Sequence, residues 1–159
     1  MKRMILVPIT LAVLMVLGAF PAAFATHSRP YSATVSGTFT LTSQTTASIS
    51  GEGHESHLGK VVFEATSTMG GPSECGGFTA KEQVTTTAAN GDKLFETAND
   101  VFCPTSNPHV FQLTASSTIT GGTGRFSDAS GSTTAHVTIV QTSMTGGTFS
   151  GTFTGTISY

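Results

Sequence analysis

The chain has 159 residues, 38% of them hydrophobic and only 10% charged, with a formal net charge of −2, two Cys and no Trp. So few cations exclude the basic footprint that nucleic acid or anionic lipid requires, and the length suits one domain around a single core. Thr, Ser and Gly dominate, yet Thr favours strands and the apolar residues recur regularly, which excludes low-complexity disorder.

Lys2 and Arg3 precede an apolar run from Met4 to Phe20, and Ala23-Phe24-Ala25 places small residues before Thr26. This pattern predicts a secretory signal peptide over residues 1–25, cleaved between Ala25 and Thr26. A membrane-spanning helix needs about 20 apolar residues, and Pro8 and Pro21 break this run. No Cys precedes Cys75, so a lipoprotein anchor is excluded. Residues 26–159 are therefore expected to form one exported domain, secreted or periplasmic, without membrane attachment after cleavage. It keeps Arg29, Lys60, Lys81, Lys93 and Arg125 against 9 Asp and Glu, a net of −4.

From Thr34 to Leu41 the period is two, with Val35, Phe39 and Leu41 on one face and hydroxyls on the other. Further strands are predicted over 45–50, 57–66, 78–88, 93–102, 109–119 and 132–143. The closing segment is the cleanest: Phe149, Gly151, Phe153, Gly155, Ile157 and Tyr159 alternate with Thr and Ser. That is a half-buried strand. About eight strands with short turns and almost no helix imply a sandwich or an antiparallel barrel. Ser-Gly-Thr-Phe-Thr occurs at 36–40 and again at 150–154, so pairing of the first and last strands would close a barrel and remove its edges. Chance repetition in so Gly- and Thr-rich a chain remains the alternative. An immunoglobulin-type sandwich is disfavoured by the absence of Trp and by the placing of the Cys pair.

Ala88-Ala89-Asn90-Gly91-Asp92 reads as a type I′ hairpin with Asn90 and Gly91 at its centre. Partner numbers then sum to about 181, so residue 78 faces 103, 82 lies near 99 and 96 near 85. Cys75 falls beside Cys103 with Gly76 and Gly77 as slack, and two Cys in an exported chain predict a disulfide. Thr118 to Gly131 is a glycine-dense connection in which Gly121, Gly122, Gly124 and Gly131 permit a tight turn. Phe126 and Ala129 are expected to tuck beneath it, with Arg125 exposed or clamping a carboxylate. No G-x-G-x-x-G and no Gly-Lys-Ser/Thr occurs there, so a phosphate loop is not indicated.

Candidate chemistry is sparse. Glu52-Gly53-His54-Glu55-Ser56-His57 is the densest group of ligand-type side chains, but its histidines are three apart in a predicted loop, unlike His-Glu-x-x-His. A third ligand would have to come from His109 or His136, and a polar surface turn is the expected reading: no metal and no cofactor. No G-x-S-x-G elbow occurs. Parity sets Glu64 opposite Val61, Phe63 and Ala65, while Glu82 shares a face with Phe78, Ala80 and Val84, and Glu96 with Leu94 and Ala98. Glu82 and Glu96 are the candidate inward acids, unless that hairpin face is the outer one.

The segment Gly121-Gly122-Thr123-Gly124-Arg125-Phe126-Ser127-Asp128-Ala129-Ser130-Gly131 resembles the G-G-T-G-x-F-x-x-A-x-G signature of allene oxide cyclase/dirigent-type β-barrels and small secreted bacterial relatives. His57-Leu58-Gly59-Lys60, Ala89-Asn90-Gly91-Asp92 and Gly151-Thr152-Phe153-Thr154-Gly155 look similar too. The resemblance implies an all-β, eight-stranded antiparallel barrel with a cavity. Plant members of that group cyclise an epoxide or steer coupling of phenoxy radicals, but their pocket residues cannot be aligned to positions here. Three functions are left open. The first is an exported barrel binding an apolar or aromatic small molecule in its interior without covalent chemistry. The second is a cyclase or isomerase acting through Glu82 or Glu96, and the third a non-catalytic extracellular interaction domain.

Overall fold

A computed structural model describes residues 27–159; the predicted signal peptide and its Ala25–Thr26 junction lie outside them. Eight strands follow in order: β1 (Arg29–Leu41), β2 (Thr46–Glu55), β3 (Gly59–Pro72), β4 (Phe78–Ala88), β5 (Lys93–Pro104), β6 (Val110–Gly122), β7 (Ser130–Ser143) and β8 (Gly146–Ser158). Each pairs antiparallel with its neighbour, and β1 with β8, giving a closed up-and-down barrel. The expected fold is observed, and closure removes the exposed strand edges. Ser36 lies opposite Ser150 in the closing ladder, so the two copies of the pentapeptide run past each other and meet mainly at that pair.

Several strands are longer than their local sequence signals. β1 begins at Arg29 because Arg29 to Ala33 pair with Ile157 to Phe153 of β8, a tertiary ladder that a local pattern does not report. The cluster Glu52–Glu55, expected as a polar turn, is strand: Glu52 pairs with Ser36 and Val62, and His54 with Thr34 and Lys60. Alternation then turns Glu52 and His54 outward and Glu55 inward.

The hairpin between β4 and β5 also departs from expectation. The Gly91 N–H donates to the Ala88 carbonyl and the Ala88 N–H to the Asp92 carbonyl. Within this turn only Gly91 has positive φ, at 89°. A type I′ turn needs positive φ at both central residues, so this is a turn over Ala89-Asn90 followed by a glycine bulge. The extra residue moves the register by one. Phe78 faces Phe102, Glu82 faces Ala98 and Val84 faces Glu96, correcting the predicted 78/103, 82/99 and 96/85 proximities. Even-numbered residues of both strands now share the inner face.

The Thr118–Gly131 connection closes one end of the barrel. Gly121 and Gly122 end β6, Gly124–Phe126 form a single 3₁₀ turn, and Gly131 is the second residue of β7. Gly124 requires glycine, with φ at 59°. Phe126 is fully buried and Ala129 nearly so. They join Tyr31, Leu58, Val61, Ala88, Leu94, Ile119 and Ile157 in the main apolar cluster. Arg125 clamps Asp92 at 3.9 Å and donates to the His57 carbonyl. The Tyr159 hydroxyl meets Nδ1 of His57 at 3.3 Å, while Nε2 donates to the Pro30 carbonyl at 2.7 Å. His57 thus helps to seal this end, whereas His54 points outward from β2.

Cys75 and Cys103 form the predicted disulfide, Cα to Cα 5.5 Å, at the other end of the barrel. It ties the β3–β4 loop to β5 beside the stacked pair Phe78 and Phe102. Closing 28 residues of chain restricts the unfolded state by about 3–4 kcal/mol. Replacing both Cys by Ser is expected to lower the unfolding free energy by that amount in urea titration; a change below about 1 kcal/mol would mean that the loop is ordered without it.

A disulfide fits an oxidising compartment. Among the described residues no helix is long and apolar enough to cross a membrane. The outward positions of β1, β2 and β8 carry Thr, Ser, Glu and His where a lipid-facing barrel has an apolar band. These features agree with an extracellular or periplasmic protein.

Candidate functional site: the barrel interior

The inward positions grade from one end to the other. Along β5, Leu94 lies in the sealed floor, followed by Glu96, Ala98, Asp100 and finally Phe102 at the opposite rim. β4 runs the other way, from Phe78 at the rim through Ala80, Glu82, Val84 and Thr86 to Ala88 at the floor. The floor residues are buried, while Phe39, Leu41, Met69, Phe78, Phe102 and Phe111 around the rim are only half-buried. Between floor and rim lies a cavity of about 240 Å³ lined by residues from all eight strands. It opens at the rim beside the disulfide.

Glycines explain why so many Phe rings leave space. Gly37 lies directly opposite Phe149, Gly51 opposite Phe63 and Gly147 opposite Phe39. A methyl group at Gly51 would sit 2.7 Å from the Phe63 ring, and one at Gly37 2.8 Å from Phe149. Each ring lies back over a bare stretch of neighbouring strand instead of filling the lumen. At the rim Phe78 and Phe102 stack with centroids 4.4 Å apart, and Phe111 meets Phe78 edge-on at 6.3 Å.

The acids of the interior fall in two groups, Glu55 and Glu96 next to the floor and Glu82 with Asp100 nearer the rim. Glu82 and Glu96, the two acids expected to face inward, both do so and line the cavity; the reading that put their face outside is overturned by the register. The structure adds three groups. Asp100 shares the even parity of Glu96 and is 1% exposed. Glu55 ends β2 on the inner face at 3% exposure. Tyr31 lies two residues before Ala33, which pairs with Glu55, so its hydroxyl reaches Glu55 along the ladder diagonal. Parity alone could have found Asp100. Glu55 and Tyr31 needed the strand extensions that only the ladders reveal.

Burial controls the electrostatics. It pushes the Glu96 carboxyl up to about 8, with the Glu55 charge adding to the effect. Burial likewise raises Glu55 to about 7, and the Tyr31 hydroxyl offsets part of that rise. Glu82 and Asp100 face one another diagonally, 82 opposite 98 and 80 opposite 100. Burial raises both, and the Asp100 charge lifts Glu82 further, so this pair keeps a shared proton into the neutral range. Burial also raises Tyr31. Glu55 Oε2 has no hydrogen-bond partner, and the Asp100 oxygens have none other than the proton shared with Glu82. Orphaned buried oxygens of this kind are costly and call for a donor.

His109 and His136 are exposed on other parts of the surface, far in sequence and pairing from the Glu52–His57 segment. Among the described residues no group of three or more His, Cys, Asp or Glu is arranged to hold a metal ion. No family model, curated protein or solved structure matches this chain.

Proposed function

We propose that this is an exported β-barrel, directed by its residue 1–25 signal peptide, that takes an apolar or aromatic small molecule into its interior without covalent chemistry. One observation carries the reading: a cavity of about 240 Å³, lined mostly by apolar side chains, with a sealed floor and an open aromatic rim. An apolar cavity of about 150 Å³ already admits benzene, and eight-stranded barrels hold either packed side chains or one small ligand. On the Gly121–Gly131 segment we also place the chain beside the allene oxide cyclase/dirigent-type barrels, whose fold includes such a cavity.

The test is a binding screen with hydrophobic dyes and fatty acids on wild type and on Ala98→Phe, whose ring would occupy the lumen from the middle of β5. Saturable binding should weaken at least about tenfold, some 1.4 kcal/mol, in that variant. Thr97→Phe, pointing outward from the same strand, should leave it unchanged. No saturable binding to wild type, or equal binding to both variants, would sink the reading.

A cyclase or isomerase is the second reading, favoured by carboxyls that hold protons near neutral pH inside a pocket. It requires Glu82→Gln and Glu96→Gln to abolish turnover of a bound epoxide or phenol while ligand affinity persists.

A further inference from the structure

We propose that the ligand is a lipophilic amine, its ammonium group seated against Glu55 and Glu96 and its apolar body directed to the Phe78–Phe102–Phe111 rim. This rests on the interior being a ligand site and adds the ligand's chemical class. The charge pattern is the first argument. Arg29, Lys60, Lys81, Lys93 and Arg125 are exposed, so every Lys and Arg among the described residues stays out of the cavity that holds the acids. A carboxylate ligand would enter a site of its own sign.

The orphaned oxygen is the second argument. Glu55 lines the cavity with one oxygen unpartnered and is only 3% exposed. An ammonium group brings three donors and no acceptor, matching a site rich in acceptors. An alcohol brings one donor. The entrance adds a third argument, because stacked and edge-on Phe rings present π-faces that attract cations along the way in.

Binding moves a proton. Tyr31 on β1, Glu55 on β2, Glu82 on β4 and Glu96 on β5 are the titratable groups lining the cavity, with Asp100 buried beside Glu82. The other strands contribute only neutral groups such as Ser67, Ser117 and Phe153. When an ammonium ion meets a protonated carboxyl, the carboxyl O–H breaks, its proton leaves to solvent, and the carboxylate pairs with the cation. Amine affinity therefore rises with pH across the range in which Glu55 and Glu96 ionise, about 7 to 8, and proton release fades above it.

The experiment is calorimetric titration at pH 8 with three probes that share a phenylethyl body: 2-phenylethylamine, 2-phenylethanol and 3-phenylpropionate. The amine should bind at least about tenfold tighter than the alcohol, as expected for charge-assisted hydrogen bonds, and the propionate weakest. The preference should shrink at pH 5. In Glu55→Gln and Glu96→Gln it should collapse to within about threefold, with alcohol affinity retained. The outward Glu64→Gln should keep it. Alcohol or propionate binding as well as the amine overturns the amine assignment while leaving the cavity reading intact. Absence of binding by all three overturns both. Circular dichroism on each variant separates lost preference from lost fold.

Discussion

Raising the pH from 5 to 9 is expected to destabilise the protein by at least about 3 kcal/mol, lowering Tm by about 10 °C. Glu55 and Glu96 hold their protons to about pH 7 and 8 when folded, whereas an unfolded Glu releases its proton near 4.5. Between those values the folded state binds more protons than the unfolded one. Stability is thus complete below about pH 4.5 with respect to these groups and is lost as pH rises through 7 and 8. This is the reverse of the usual surface carboxylate, whose pairing makes acid destabilising. Thermal unfolding followed by circular dichroism at pH 5, 7 and 9 measures it. Glu96→Gln supplies a neutral near-isostere, so it should stabilise by about 2 kcal/mol or more at pH 9 and change little at pH 5. A Tm that is flat or rises between pH 5 and 9 would mean that the acids are solvated within an open lumen.

Phe126→Ala should cost about 3–5 kcal/mol, the range for deleting a buried aromatic ring. The ring is fully buried, lies 4.8 Å from the Tyr159 ring by centroid and has the Arg125 guanidinium 4.7 Å from its own centroid. It is the stopper of the sealed end, and its neighbours Leu94, Ile119 and Ile157 are held by β-ladders that cannot collapse inward to fill the gap. The predicted consequence goes beyond stability: a second entrance opens at the floor, next to Glu55 and Glu96, so ligand exchange quickens and the pH dependence of Tm flattens as water reaches the acids. Urea unfolding and stopped-flow ligand release read the two effects separately. A loss below about 1.5 kcal/mol would show that the floor repacks without the ring.

Much of this architecture is legible in the residues. Period-two alternation locates most strand centres, and the glycine-dense Thr118–Gly131 segment announces a plug built on Phe126 and Ala129. The Cys75–Cys103 bridge follows from a hairpin and a redox argument. What the sequence conceals is set by pairing across distance. Type I′ and bulged hairpins share the Asn90-Gly91 signal, and the difference of one residue decides which acids face each other. Glu55 looked like part of a polar turn because Gly51, Gly53 and Ser56 surround it, yet ladders on both sides carry it inward as strand. Tyr31 follows Pro30, which discourages a strand assignment, but the β8 ladder extends past it. The candidate site was therefore half visible: Glu82 and Glu96 by parity, Asp100 within reach of the same rule, Glu55 and Tyr31 only through the closed barrel.

The ligand site proposed for this protein is the barrel interior and no outer surface. Chemical-shift mapping with indole, a compact neutral aromatic, tests it most directly. Saturable perturbations are expected at inward positions such as Val84, Ala98, Ala115 and Val137, all of which line the cavity, with the outward Thr97 and Thr114 silent. Perturbations confined to the shallow outer depression around Thr34, Glu52, His54 and Lys60, or none at saturating indole, would contradict it.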